Sequence, residues 1–246
     1  MIFQQKNKTG INKECVLASI SALPLEPRPY QAETIADASD YLLKPEVRSC
    51  LINSATGSGK TVMGLSVLRV MSAQSSEPLK IGWCAMRRNL LRQAESECEA
   101  RNFGLNIIFF SMFDKNPPKN LDILVVDEAH HDATDSMANI HNISKPSRIL
   151  GLSATPYRAD NAELSFEKVI CKAGLWELVR DGYLSKPDHY NIPNWSPRTV
   201  CDVYAGNRRT FGKSAMFFFT YEDCLTAQKL LTSKGIASEV VNGQSD

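Results

Sequence analysis

The 246-residue sequence has no apolar run approaching the length of a membrane span, so no transmembrane helix and no membrane partner are expected. None of its seven cysteines pair at C-x2–4-C spacing, and their number is odd. That pattern argues against a disulfide framework and against a cysteine zinc site, and it points to reduced thiols in a cytoplasmic protein. Neither sign of charge is in excess. The 28 Lys and Arg against 27 Asp and Glu leave the partner open, because a local basic patch is enough to bind nucleic acid. Repeats and low-complexity tracts are also missing. Lys6, Lys8 and Lys13 before "CVLASISALPL" outline a secretory leader, but Glu14, Ser19 and Ser21 interrupt its apolar stretch. What is present is apolar content, 43% of residues, which is enough to build a core and excludes global disorder.

Short apolar runs alternate with helical spacing along the first two thirds of the chain. Leu51 and Ile52, then 81–85, 104–113, 122–126 and 147–156 read as strands, the last stopped by Pro156. Strand–helix alternation predicts an α/β fold: a doubly wound, mostly parallel sheet with right-handed crossovers and helices on both faces. Residues 174–187 read as a helix with Gly182 near its C-cap. Periodicity is lost over 188–213, which reads as a linker with at most a short helix. It returns as a strand at 214–220, a helix at 221–235 and a strand at 236–241. The expected domains are thus 1–187, a linker 188–213, and an incomplete unit 214–246 that is too short to fold alone. Phe217, Phe218 and Phe219 read as a buried parallel strand in preference to a base-stacking platform.

"SATGSGKT" (54–61) fits the phosphate-loop pattern G-x-x-x-x-G-K-[ST], with Ser54 where the strict pattern has glycine. Thr56, Gly57, Ser58 and Gly59 are small, as required if successive N–H groups are to converge on phosphate oxygens. The positive end of the following helix adds to the attraction. Lys60 is the expected contact to the β- and γ-phosphates, and Thr61 the expected Mg2+ ligand. These choices name ATP and Mg2+ as the cofactors.

"LDILVVDEAHHDAT" (121–134) runs a strand into a group of titratable residues. Asp127 stands where a phosphate-loop protein needs a carboxylate to position the metal, and Glu128 where one would orient and deprotonate the attacking water. Both motifs fall at the carboxyl ends of strands, where ligands of such sheets bind. The spacing is not H-E-x-x-H, so zinc is not favoured, and His131 and Asp132 read as solvated.

"SATGSGKT", "DEAHH" and "GLSATPYR", in this order, resemble the ATPase motor of superfamily 2 helicases, in the DEAH form of the second motif. The resemblance runs from about Arg28 to the end of the sequence, and it implies two RecA-like domains with the second one truncated here. It implies further roles. "RPYQ" (28–31) resembles the glutamine motif that reads adenine, through Gln31. In "MRRNLLRQA" (86–94), Arg87 and Arg88 would grip nucleic-acid phosphates, although Met86 replaces the usual proline. Ser111 in "FFSMF" stands near a second backbone contact where threonine is usual. Ser153 and Thr155 of "SATP" would couple ATP state to strand grip, with His130 as the partner. The helix bearing the family's arginine finger is not found, and such a finger carries about 10³–10⁵ in turnover. The resemblance therefore implies the core of an ATP-dependent helicase or translocase, on DNA more than RNA, that hydrolyses ATP weakly as this chain alone. The alternatives are a nucleotide-regulated nucleic-acid clamp, and a phosphate-loop kinase or small-molecule ATPase.

Overall fold

The computed structural model describes residues 13–131, 135–158, 161–189 and 191–241. The chain divides into two compact units, Met1–Lys186 and Pro187–Asp246.

The first unit is built on a six-stranded sheet with every pairing parallel. Its strands are β1 (Ser49–Asn53), β2 (Ile81–Ala85), β3 (Ile107–Ser111), β4 (Ile123–Asp127), β5 (Arg148–Ser153) and β6 (Lys168–Ile170), in the order β3-β2-β4-β5-β1-β6. The strands read from the sequence are β1 to β5, and the expected α/β class holds. Strand β6 is the addition. It has three residues at the sheet edge, with Lys168 and Val169 exposed, so it carries no apolar run to betray it.

The continuous apolar strands exist because both faces are covered. Alternate residues divide between them. Ile52, Ile81, Trp83, Val125, Leu150 and Leu152 join one core. Leu51, Cys84, Phe110, Leu124 and Val126 join the other. The first core is capped by α1 (Lys13–Ile20), α2 (Pro29–Leu43), α3 (Lys60–Gln74), α4 (Arg88–Ala100) and α6 (Leu175–Arg180). Helix α5 (Asp135–Ser144) covers the second through Met137 and Ile140. The leader-like stretch is α1, which buries Val16 and Ile20 fully or nearly so. Gly182 has φ +76°, the left-handed turn expected after α6. No helix among the described residues is long and apolar enough to cross a membrane.

The second unit departs from expectation. Its helices are α7 (Pro197–Gly206), α8 (Arg208–Phe211) and α9 (Tyr221–Ser233). Two of them occupy the segment read as a linker, and α7 packs on α9 through Cys201, Ala227 and Leu231. Pro197 at the first turn and the Ser196 hydroxyl, which accepts the Thr199 N–H at 3.2 Å, start α7. The Thr220 hydroxyl starts α9 in the same way, from the Asp223 N–H at 3.1 Å. The strands read at 214–220 and 236–241 are not formed among the described residues. An isolated pair of strands is marginal, and the described residues of this unit hold no third strand to complete a sheet. The buried-strand reading of the phenylalanines fails with them: Phe217 is 80% exposed and Phe219 fully so, while Phe218 alone packs inward.

Candidate active site

The order β4-β5-β1 puts the ends of β4 and β1 on either side of β5. Asn53 is level with Ser153, and Asp127 with Leu152, so the two motif loops leave the sheet at the same edge and nearly the same height.

The loop between β1 and α3 starts at Ser54, whose N–H donates to the Ser153 carbonyl at 3.0 Å. It turns through a Ser58 N–H to Ala55 carbonyl bond of 3.1 Å. Gly57 and Gly59 take φ of +83° and +86°, the left-handed region that side chains avoid. At Gly59 a Cβ would also lie 2.7 Å from Gln31 Nε2. Lys60 and Thr61 open α3, where the first-turn N–H groups have no helical acceptor. Ser58 is buried and its hydroxyl has no partner. Open amides, a glycine-shaped cradle and an orphaned hydroxyl fit an anionic phosphate chain.

Gln31 and Tyr30, on α2, hold this loop from outside. The Ser58 carbonyl accepts from Tyr30 Oη at 2.8 Å and from Gln31 Nε2 at 2.9 Å. Gln31 Oε1 accepts the Arg28 N–H at 2.9 Å. One amide hydrogen and one carbonyl lone pair of Gln31 stay available to a base edge. Two neighbours carried no sequence signal. The Tyr183 ring lies 5.4 Å from the Tyr30 ring and 4.9 Å below the Arg28 guanidinium. Leu184 Cδ2 would be 3.1 Å from a Cβ at Gly57. Neither stands in a recognisable motif; only their place just after the helix-ending Gly182 sets them apart.

Asp127 ends β4 and is buried. Its pKa is pushed up to about 6, first by burial and then by the neighbouring Glu128 charge. The Glu128 N–H, the Trp83 indole and the Lys60 charge pull in the opposite direction. Lys60 therefore lies within electrostatic reach of Asp127. The buried Asp127 carboxylate at the end of β4 and the Thr61 hydroxyl in the first turn of α3 are oxygen donors of the kind a hard divalent cation such as Mg2+ takes.

Glu128 adopts φ +53° and its N–H donates to Asp127 Oδ1 at 3.0 Å. Its carboxylate stands 3.4 Å from His130 Nδ1. The same nitrogen lies 3.1 Å from the Ser153 hydroxyl, which also accepts the Thr155 N–H at 3.2 Å. Ser153 thus bridges the two motifs, whereas the Thr155 hydroxyl turns to the Tyr157 carbonyl at 3.3 Å. Arg87 and Arg88 are exposed just beyond β2, on this same edge. The Ser111 hydroxyl ends β3 and accepts the Phe113 N–H at 3.3 Å. Asp132 lies outside the described residues, and so does the side chain of His131.

A family model described as "Type III restriction enzyme, res subunit" matches residues 24–107 and 106–158, more than half of the chain. Among curated proteins, "Putative helicase 109L" of Invertebrate iridescent virus 3 is 26% identical over 157 residues, 55% of this chain and 47% of that protein. "Putative mitochondrial ATP-dependent helicase irc3" of Schizosaccharomyces pombe is 23% identical over 206 residues, 72% of this chain and 34% of that protein. The chain therefore spans less than half the length of these relatives. Among solved structures, the ATP-dependent type ISP restriction-modification enzyme LlaBIII bound to DNA aligns with TM-score 0.58 and 16% identity over 86% of this chain and 22% of that one. A nuclease-deletion mutant of the related enzyme LlaGI, in complex with a DNA substrate mimic, gives 0.50 and 16% over 77% and 23%. These two likenesses bear on the fold.

Proposed function

The chain belongs to the family described as type III restriction enzyme, res subunit, and on that premise we propose that it is the ATP-binding and ATP-hydrolysing core of a helicase or translocase that works on DNA. The observation that carries this reading is the facing of Lys60 and Asp127 across one sheet edge, close enough for the lysine charge to act on the carboxylate.

The residues divide the work. Amides of Thr56 to Thr61 and the Lys60 ammonium bind and orient the phosphates. Thr61 and Asp127 would hold Mg2+, which would supply positive charge against the charge developing on the transferred phosphoryl group. Glu128 takes the proton of the attacking water. Gln31, steadied by Arg28, offers its free hydrogen and lone pair to adenine. His130 and Ser153 tie this site to the strand that leads to the SATP segment, so a change of nucleotide state has a hydrogen-bonded path out of the pocket. Arg87 and Arg88 meet the polymer backbone, a contact indifferent to sequence and weakened by salt. A restriction-enzyme family favours DNA as that polymer. The DEAH spelling of the second motif supports that branch of superfamily 2.

Titration of the chain with ATP in MgCl2 tests the reading directly. Binding is expected for the natural chain and loss of it for Lys60→Ala. Hydrolysis is expected to rise on adding DNA and to rise less with RNA. Absence of ATP binding would refute the nucleotide site, and ATPase activity indifferent to both polymers would refute the motor and restore a small-molecule ATPase.

A further inference from the structure

Among the described residues near the proposed site, Trp83 carries a polar group that the reading above does not use. It sits in the middle of β2 and is fully buried. Its indole N–H has no hydrogen-bond partner of acceptable geometry. A buried donor without an acceptor is uncommon and costly, and strands rarely place tryptophan where its N–H cannot be met. The nearest use is plain from the register. Trp83 pairs with Val125 on β4, and two residues further on, on the same face of the sheet, is Asp127. The indole is close enough to Asp127 to favour its ionised form.

The ring cannot easily turn elsewhere. On one side α3 passes so near that a Cβ at Gly64 would come within 3.2 Å of the indole edge and 3.0 Å of Leu152. On another, Phe109 lies 6.2 Å away, tilted by 42°. Glycine at position 64 is what lets the helix that begins with Lys60 and Thr61 rest on this ring. One side chain therefore lies against α3, the helix that begins with Lys60, and shares a sheet face with the acid on the neighbouring strand.

We infer that Trp83 is a positioning residue for the metal-binding carboxylate: its N–H closes onto the Asp127 carboxylate and so fixes it for the metal. The inference rests on the nucleotide-site reading above. It concerns the metal-dependent part of binding alone, because the phosphate loop itself is untouched.

The test is calorimetric titration of the full chain with ATP, once in MgCl2 and once in EDTA. The natural chain should bind more tightly with Mg2+. In Trp83→Phe that advantage should shrink by about tenfold, the usual scale for a residue supporting a metal ligand, with affinity in EDTA unchanged. Where Trp83→Phe does not fold, β-(3-benzothienyl)alanine at position 83 keeps the ring shape, replaces N–H by sulfur, and should behave the same way. An undiminished Mg2+ advantage, or equal loss with and without the metal, overturns the inference while leaving the nucleotide site standing. A natural chain that binds no ATP in either buffer removes both.

Discussion

In Met1–Lys186 the central strands are covered on both faces, and side chains as large as Trp83, Phe103 and Met71 are fully buried. In Pro187–Asp246 the buried centre is Cys201, Ala227, Leu231 and Ile236, while Trp195, Phe217 and Phe219 are largely exposed. The first unit can hold a carboxylate above its ordinary pKa because Asp127 is buried among its strands and next to Glu128. Among its described residues the second shows no such interior, and its helices rest on capping and one narrow seam. Chemistry that depends on desolvation belongs to the first.

The largest effect should come from Glu128→Gln. Turnover is expected to fall by about 10²–10⁴-fold, the range of a general base, with ATP still bound. Single-turnover hydrolysis measures it, and a change of less than twofold would favour the nucleotide-regulated clamp over the motor. Next come paired cavities. Leu152→Ala should lower the stability of the first unit by about 2–5 kcal/mol, whereas Leu231→Ala should move that transition by about 0.5 kcal/mol or less and remove protection only around α9. Hydrogen exchange followed residue by residue separates the two; a shared loss would merge the units energetically.

The pH dependence is comparable in size. Asp127 has its folded pKa raised from 3.8 to about 6, so the folded state holds its proton more tightly than the unfolded one. The associated stability is fully present below about pH 4 and is lost as pH rises through about 6. The difference amounts to about 2–3 kcal/mol. Without nucleotide, Asp127→Asn should therefore melt higher than the natural chain at pH 7 and lose that slope, while giving up the Mg2+ contribution to binding. Scanning calorimetry at pH 4 and 7 decides it. The smallest effect is reserved for the second unit: Phe219→Ser, at a fully exposed position, should change stability by about 0.5 kcal/mol or less in thermal melts.

The contrast between the units also marks where the sequence could be read. Strands β1, β2, β4 and β5 were legible because strands buried on both faces are apolar throughout, and β3, although at the sheet edge with Ile108 exposed, kept a continuous apolar run. The glycines at 57 and 59 likewise marked a tight turn before α3, because few other residues accept their positive φ. Strand β6 was hidden by its exposed edge position. At 214–220 the identical apolar signal misled, since a run of phenylalanines states a preference for burial and not whether neighbouring strands exist to provide it. Trp83 looked like one more core residue. Only the register that sets it two residues short of Asp127 gives its N–H a meaning, and register is a property of two strands together.

Glu128 follows a regular strand with a left-handed backbone that glycine or asparagine would adopt more cheaply. A chain free of any demand at that spot would drift to one of those two. On the function proposed above, persistence of glutamate there across the descendants of this gene would record continuing use of hydrolysis, and its replacement by glycine would mark a lineage that kept the architecture and abandoned the reaction.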